Sequence, residues 1–320
     1  MRLIAFALAL CGVLLQPPAA AEALPDPLSW LGRIATAGQR LNYQGTFTYQ
    51  SGGHSETSRI VHRAEGGVEF ERIEVLDGSP REVIRNGDEV RCVLPEQQTV
   101  IIDQPGSRRA FPSRLPAALT GLGESYRVRQ GESARIAGHD TLAVVLEPRD
   151  GLRHGHVLWA DVHSGLLLKS RMVDAQGHTI EQFMFNEVSI GGEIEHKLLK
   201  PRFSPRPEWR TINAQGRELS RAHLGWTLNT ALPGYTLLSV MRRQIGREQG
   251  DVVHLVYGDG LATISVFIEP SSTASAPAAQ ASGAINIYKR AYKGHLITAL
   301  GEVPLQALQR LADGIEQAGS

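Results

Sequence analysis

The 320-residue chain has only two cysteines, Cys11 and Cys92, and few aromatic residues, at 6%. Cys11 falls in an N-terminal segment expected to be removed on export. Cys92 then stands alone, which excludes an internal disulfide and leaves the fold to core burial. Net charge is missing too, because Lys plus Arg and Asp plus Glu number 33 each. A balanced chain lacks the clustered basic excess of a nucleic-acid binder, so a partner must be recognised by shape, apolar contact or local patches. Beyond the N-terminus, no apolar run approaches the roughly 20 residues needed to span a bilayer.

Motifs that carry chemistry are also absent. There is no G-x-S-x-G, no H-E-x-x-H, no Gly-rich phosphate loop opening a helix and no paired-cysteine metal site. His154-Gly155-His156, with Asp161 and His163 nearby, is the only cluster that resembles a metal set, and it reads as solvated histidines at a hairpin tip. Glu69/Glu71 and Glu193/Glu195 read as ordinary alternation on half-exposed strands. No catalytic residue, metal or cofactor is expected, and the chain reads as a binding protein rather than an enzyme.

What is present begins with an export signal. Arg2 supplies a positive charge, Leu3 to Leu15 is an apolar core, and Ala19 to Ala23 offers small residues, with cleavage fitting after Ala21 or Ala23. A periplasmic location follows. A mature length of about 300 residues exceeds what one core usually serves, so two domains are expected. The sequence divides into a signal peptide at 1–23, a first domain at 24–200, a linker at 201–218 and a second domain at 219–320.

Asp26 and Pro27 form the cap and first position of a helix running to about Leu41, with Leu28, Leu31, Ile34 and Ala35 on its apolar stripe. From Tyr43 the period becomes two, and strands follow one another at short spacing to Ile190. The parity of apolar residues slips between Phe70 and Ile73, which predicts a bulge or a sharp twist there. On its strand, Cys92 shares a face with Val90 and Leu94 and reads as a buried, inert thiol. Residues 104–120 interrupt the pattern with prolines and a short helical segment at 115–119. Lys200 to Pro207 carries three prolines and reads as a stiff linker. A smaller α+β unit follows, ending in a helix from Pro304 to about Gln317, with Pro270 to Ser282 as a flexible insertion. The fold class is α+β: a large curved antiparallel half-barrel sheet with helices, plus a smaller C-terminal α+β domain.

Strand parity nominates Phe47, Tyr49, Phe70, Trp159, Phe183 and Phe185 as the lining of an apolar cavity, although core packing is the ordinary fate of such residues. The linker cations Arg202 and Arg206, with Tyr257, Phe267 and Tyr288 in the second domain, are the candidate contacts for a partner.

The ordered blocks Leu41 to Gln50, Glu71 to Gly78, Glu82 to Arg85, Tyr257 to Glu269, Gly283 to Tyr288 and Gly301 to Pro304 together resemble the RseB/MucB family of envelope-stress regulators. The resemblance spans essentially the whole mature chain. It implies a large domain similar to the lipoprotein carriers LolA and LolB. It also implies binding to the periplasmic region of an RseA/MucA-like anti-sigma factor, and protection of that region from proteolysis. Release would come from lipopolysaccharide or a lipid or lipoprotein fragment. A LolA-type lipid or lipoprotein carrier is the alternative, and a simple carrier has no need of a second domain. Homodimer formation is left open.

Overall fold

The structure, a computed structural model, describes residues 26–103, 121–220, 224–229, 232–244, 251–272 and 276–318. The expected signal segment and the helical segment at 115–119 lie outside these residues.

Helix α1 (Pro27–Arg40) opens as the sequence predicts, the Ser29 amide donating to Asp26 Oδ2 at 3.0 Å. Its buried face differs from the expected stripe. Leu28 is 47% exposed, while Trp30 is buried with Leu31, Ile34 and Ala35. The Trp30 indole N–H reaches the Leu142 carbonyl at 3.3 Å, so its polar edge is satisfied inside the core.

Eleven strands then build one sheet with the linker. They are β1 (Tyr43–Ser51), β2 (His54–Glu65), β3 (Val68–Val75), β4 (Glu82–Asn86), β5 (Glu89–Leu94) and β6 (Thr99–Asp103), followed after α2 (Leu122–Ser125) by β7 (Tyr126–Ile136), β8 (His139–Pro148), β9 (Gly155–Asp161), β10 (Leu167–Val173) and β11 (Thr179–Ile190). A linker strand, β12 (Arg210–Asn213), makes the twelfth, in the order β12-β6-β5-β4-β3-β2-β1-β11-β10-β9-β8-β7. All pairings are antiparallel except β12 on β6. The sheet is curled: β7 touches β11, although three strands separate them in the order. Bulges at Thr46/Phe47, Gln130/Ser133 and Met172/Val173 provide local bends. The bulge expected between Phe70 and Ile73 is not among them, as β3 pairs without a shift on both sides. At Gly45, beside the first bulge, a Cβ would lie 2.2 Å from the Glu187 carbonyl oxygen, so the two backbones can meet only at glycine. On β5, Cys92 is half-buried and Val93 takes the buried position.

The second unit is a seven-stranded sheet in the order β13-β15-β16-β17-β20-β19-β18. Its strands are β13 (Arg217–Glu218), β15 (Thr236–Gln244), β16 (Asp251–Gly258), β17 (Thr263–Pro270), β18 (Ala278–Ser282), β19 (Ile285–Tyr292) and β20 (His295–Gly301). A separate ribbon joins β14 (Trp226–Leu228) to β21 (Ile315–Gln317). Helix α3 (Leu305–Asp313) packs on β19 and β20, burying Ala307, Leu308, Leu311 and Ala312. This helix is shorter than expected, because the chain leaves it at Gly314 to form β21. The insertion predicted at Pro270 to Ser282 also differs: Ala278–Ser282 is an exposed edge strand, built by backbone pairing with β19 that needs no bulky side chain.

Candidate functional site: an aromatic cluster, a cationic cavity and a joint between domains

The six nominated cavity residues divide between the two faces of the large sheet. Phe47 pairs with Phe185, and Tyr49 with Phe183, so all four share a face. Ring centroids lie 5.0 Å apart for Phe47–Phe183 and 5.2 Å for Phe183–Phe185, in tilted and edge arrangements. Phe47, Phe183 and Phe185 are buried, while Tyr49 sits at the margin and donates to Glu181 Oε2 at 2.7 Å. This cluster lies on the face that α1 covers, since Leu158, in register with Ser170 and through it with Phe183, packs in the core that holds Trp30 and Leu31.

Phe70 and Trp159 lie on the opposite face. At β3 the positions facing Phe47's side are Glu71 and Ile73, and Phe70 meets His196 instead, at 6.5 Å between rings. The physical reason is that both faces of β3 are covered. Glu71 is buried near His62 and Arg85, and burial raises its carboxyl pKa. Glu74, on Phe70's face, is buried under the linker.

Trp159 floors a cavity of about 520 Å³ whose lining also includes Phe185, a second nominated residue, with Ala134, Ile136, Ala137 and Met184 and the polar Glu132, Arg135, Lys169 and Asn186. The Lys169 ammonium and the Arg171 guanidinium each lie 4.9 Å from the indole centroid. Burial, then the neighbouring Arg171 charge, pushes the Lys169 pKa down. Among the described residues, Trp159 Nε1 and Arg171 Nε find no hydrogen-bond partner. The cavity is therefore a recess of mixed lining, with Glu132, Arg135 and Asn186 beside its apolar residues, Lys169 over the indole and an unsatisfied indole N–H.

The linker cations have different fates. The Arg202 guanidinium pairs with Glu74, and its backbone N–H donates to Glu82 at 3.1 Å. Glu82, wholly buried, also accepts from Arg72 Nη1 at 3.2 Å and from the Phe203 amide at 3.4 Å. Arg202 thus helps to seat the linker on β3 and β4. Arg206 is exposed, with Glu208 at 4.0 Å. In the second domain Tyr257 and Tyr288 are buried in the core that packs against α3, the Tyr288 hydroxyl donating to Asp313 Oδ1 at 3.1 Å. Phe267 lies on the other face, stacked on His254 at 4.2 Å.

Sequence reading missed the joint between the two domains. It is built around Arg153, in the loop between β8 and β9. Arg153 Nη1 donates to Asp259 Oδ2 at 2.8 Å, and both side chains are fully buried. Nε and Nη2 donate to the Asp150 carboxylate at 3.1 Å each, and Nη2 also reaches the Pro233 carbonyl at 2.5 Å. The rings of Tyr126 and Tyr235 flank the guanidinium at 5.6 and 4.9 Å. Burial, and next the Asp259 charge, holds both phenols above their ordinary pKa. Leu152 enters the core of the second domain and Leu261 packs on that of the first, so each domain inserts a side chain into the other. At Gly234, φ is +76° and a Cβ would fall 2.3 Å from Ser125 Oγ, so only glycine fits. A second contact joins hairpin tips, the Ala284 amide donating to Ser51 Oγ at 2.8 Å. A single isolated Arg in a loop and a single Asp in a Gly-Asp-Gly turn give no periodic signal, which is why neither stood out in the sequence.

Comparison with known proteins bears on both domains. Residues 26–203 match the MucB/RseB N-terminal domain and residues 220–316 the MucB/RseB C-terminal domain. The chain belongs to the MucB/RseB family. Among MucB/RseB relatives, the sigma factor AlgU regulatory protein MucB of Pseudomonas aeruginosa is 31% identical over 95% of both chains. The sigma-E factor regulatory protein RseB of Escherichia coli K12 is 23% identical over 99% of this chain and 98% of its own. Two solved structures contain MucB with a partner. MucB in complex with MucA(peri) gives a TM-score of 0.72 at 28% identity, and the Pseudomonas aeruginosa MucA/MucB complex 0.75 at 27%. Each covers 92% of this chain and all of the solved one. A structure described simply as MucB gives 0.67 at 28% identity, covering 91% of this chain and 98% of its own.

Proposed function

We propose that this protein is a periplasmic negative regulator of a sigma-E-type envelope stress response. It binds the periplasmic region of an anti-sigma factor and shields that region from proteolysis. The observation that carries this reading is likeness across both domains to two MucB structures solved with MucA, one of them with MucA(peri). In physical terms the protein acts by binding. Two sheets held together at a joint present a surface to an extended or unfolded segment, which is ordered as it binds.

Lipopolysaccharide or a lipid or lipoprotein fragment releases the segment in this reading, and the recess beside Trp159 is where such a ligand enters. Its apolar residues take acyl carbon, and the lining cations Lys169 and Arg135 take the anionic group. A ligand bound there drives release only if it prefers the released arrangement. The same recess favours a second reading, a lipid carrier without a regulatory partner.

The deciding experiment combines the protein from residue 24 onward with a labelled peptide of the anti-sigma periplasmic region, measuring anisotropy and the rate of cleavage by the periplasmic protease. Saturable binding and slowed cleavage, both reversed by lipopolysaccharide, are expected. Absence of peptide binding, together with transfer of a fluorescent lipid between vesicles, would establish the carrier instead. Light scattering on the same samples reports whether a homodimer forms.

A further inference from the structure

The joint around Arg153 is chemically unusual for a contact between domains. Arg153 and Asp259 are both wholly buried, and the pair is completed by Asp150, the Pro233 carbonyl and the Tyr126 hydroxyl, which donates to Asp259 Oδ2 at 3.3 Å. The other carboxylate oxygen, Asp259 Oδ1, accepts the Leu261 and Ala262 amides at 2.9 and 2.8 Å and so belongs to its own turn. Tyr235 donates to the Leu152 carbonyl at 3.3 Å, tying the second domain to the same loop.

A buried ion pair differs from an apolar seal in how it responds to opening. Apolar contact loses stability in proportion to the area exposed to water. Separated charges regain their hydration, so a buried pair adds little net stability over an apolar replacement of the same shape. It does impose one geometry, because any intermediate position strands a charge away from both its partner and water. A joint centred on such a pair therefore has two good states, closed and fully parted. The arrangement seen here is the closed one, with the pair formed and shut off from water.

We propose that the Arg153–Asp259 pair is the positioning contact that holds the two domains at the angle competent for the peptide partner, and that its ionic character is what allows the joint to open. The proposal rests on the regulatory reading above for its partner, but the domain angle is measured without one.

The test uses the full mature chain with Cys92→Ser, and spin labels at Glu96→Cys in the first domain and Lys289→Cys in the second, both exposed positions. Asp259→Asn removes the charge and keeps the Oδ1 acceptor of the turn. The expected result is a longer, broader distance distribution between labels and a loss of peptide affinity of about tenfold or more. The pair Arg153→Met with Asp259→Asn replaces the ion pair with a neutral contact and keeps the Oδ1 acceptor of the turn. It should return the short, narrow distance, restore peptide affinity to within about threefold, and raise the lipopolysaccharide concentration needed for release. Unchanged distance and unchanged affinity in Asp259→Asn, with the parent binding peptide, would overturn the proposal. Should Asp259→Asn unfold the second domain by near-ultraviolet circular dichroism, Arg153→Met, which leaves the Asp259 turn intact, decides alone, and an unchanged distance and affinity in it refute the positioning role. If the parent fails to bind peptide while Asp259→Asn still lengthens the distance, the regulatory reading falls and the joint stands.

Discussion

His254 shows how a single side chain can set the response of this protein to acid. It lies on β16, is 3% exposed, and stacks on Phe267 at 4.2 Å. Neither ring nitrogen finds a hydrogen-bond partner among the described residues. Burial, with the nearby Arg243 charge, pushes its pKa from 6.5 down to about 3. Between those values the unfolded chain takes up a proton that the folded chain refuses, so this stability is present above pH 6.5 and is lost as pH falls. The loss between pH 7 and pH 5 is about 2 kcal/mol. His154, whose pKa is lowered chiefly by burial, acts in the same direction. Urea unfolding at the two pH values should show the difference, and His254→Gln should remove most of it. A slope unaltered by that substitution would place the acid sensitivity elsewhere. None of this was visible in the sequence, where His254 is one of eleven scattered histidines. Charge and spacing carry no information about which of them is desolvated.

Among the elements, β3 separates what alternation reveals from what it conceals. Apolar spacing located the strands of both sheets because most of them bury one face, and the Asp26-Pro27 cap marked α1 for a local reason. On β3 both faces are covered, by the core on one side and by the linker on the other, so Glu71 and Glu74 are each 3% exposed. A rule that places carboxylates outside then reads regular pairing as a slip. The exposed β18 was missed for the opposite reason, since Ala, Gln and Ser carry little preference for strands. Of the aromatic set, the four members on β1 and β11 come together because those strands are neighbours, whereas parity across an unknown strand order could not place Phe70 or Trp159. The seat of the linker makes its own prediction. Glu82→Ala takes from Arg72 one of its two buried carboxylate partners, Glu74 remaining at 3.3 Å, and releases the Arg202 and Phe203 amides. Loss of about 1–3 kcal/mol from the first domain is expected. Trypsin should then cut after Arg202, which Phe203 follows, well before other sites, as mass spectrometry of the fragments would show. An unchanged fragment pattern would mean that β12 alone holds the linker.

For the whole molecule, the sequence boundary between the domains differs from the boundary between the sheets. The chain after residue 203 runs back along β6 as the parallel strand β12, and a few residues later adds β13 to β15 of the other sheet. One short stretch of polypeptide thus hems the raw border of each sheet in turn. Open borders invite pairing with other chains. Cutting the molecule at residue 203 would strip β12 from the first sheet and leave β13 on the second. A first domain ending at residue 203 should self-associate in sedimentation, while one ending at residue 216 keeps its border strand and should remain monomeric. If both behave alike, the border is guarded by something other than this strand. The same geometry means that the two lobes can part at Arg153 and still be stitched together at their margins, so that opening is a hinged movement about the seam.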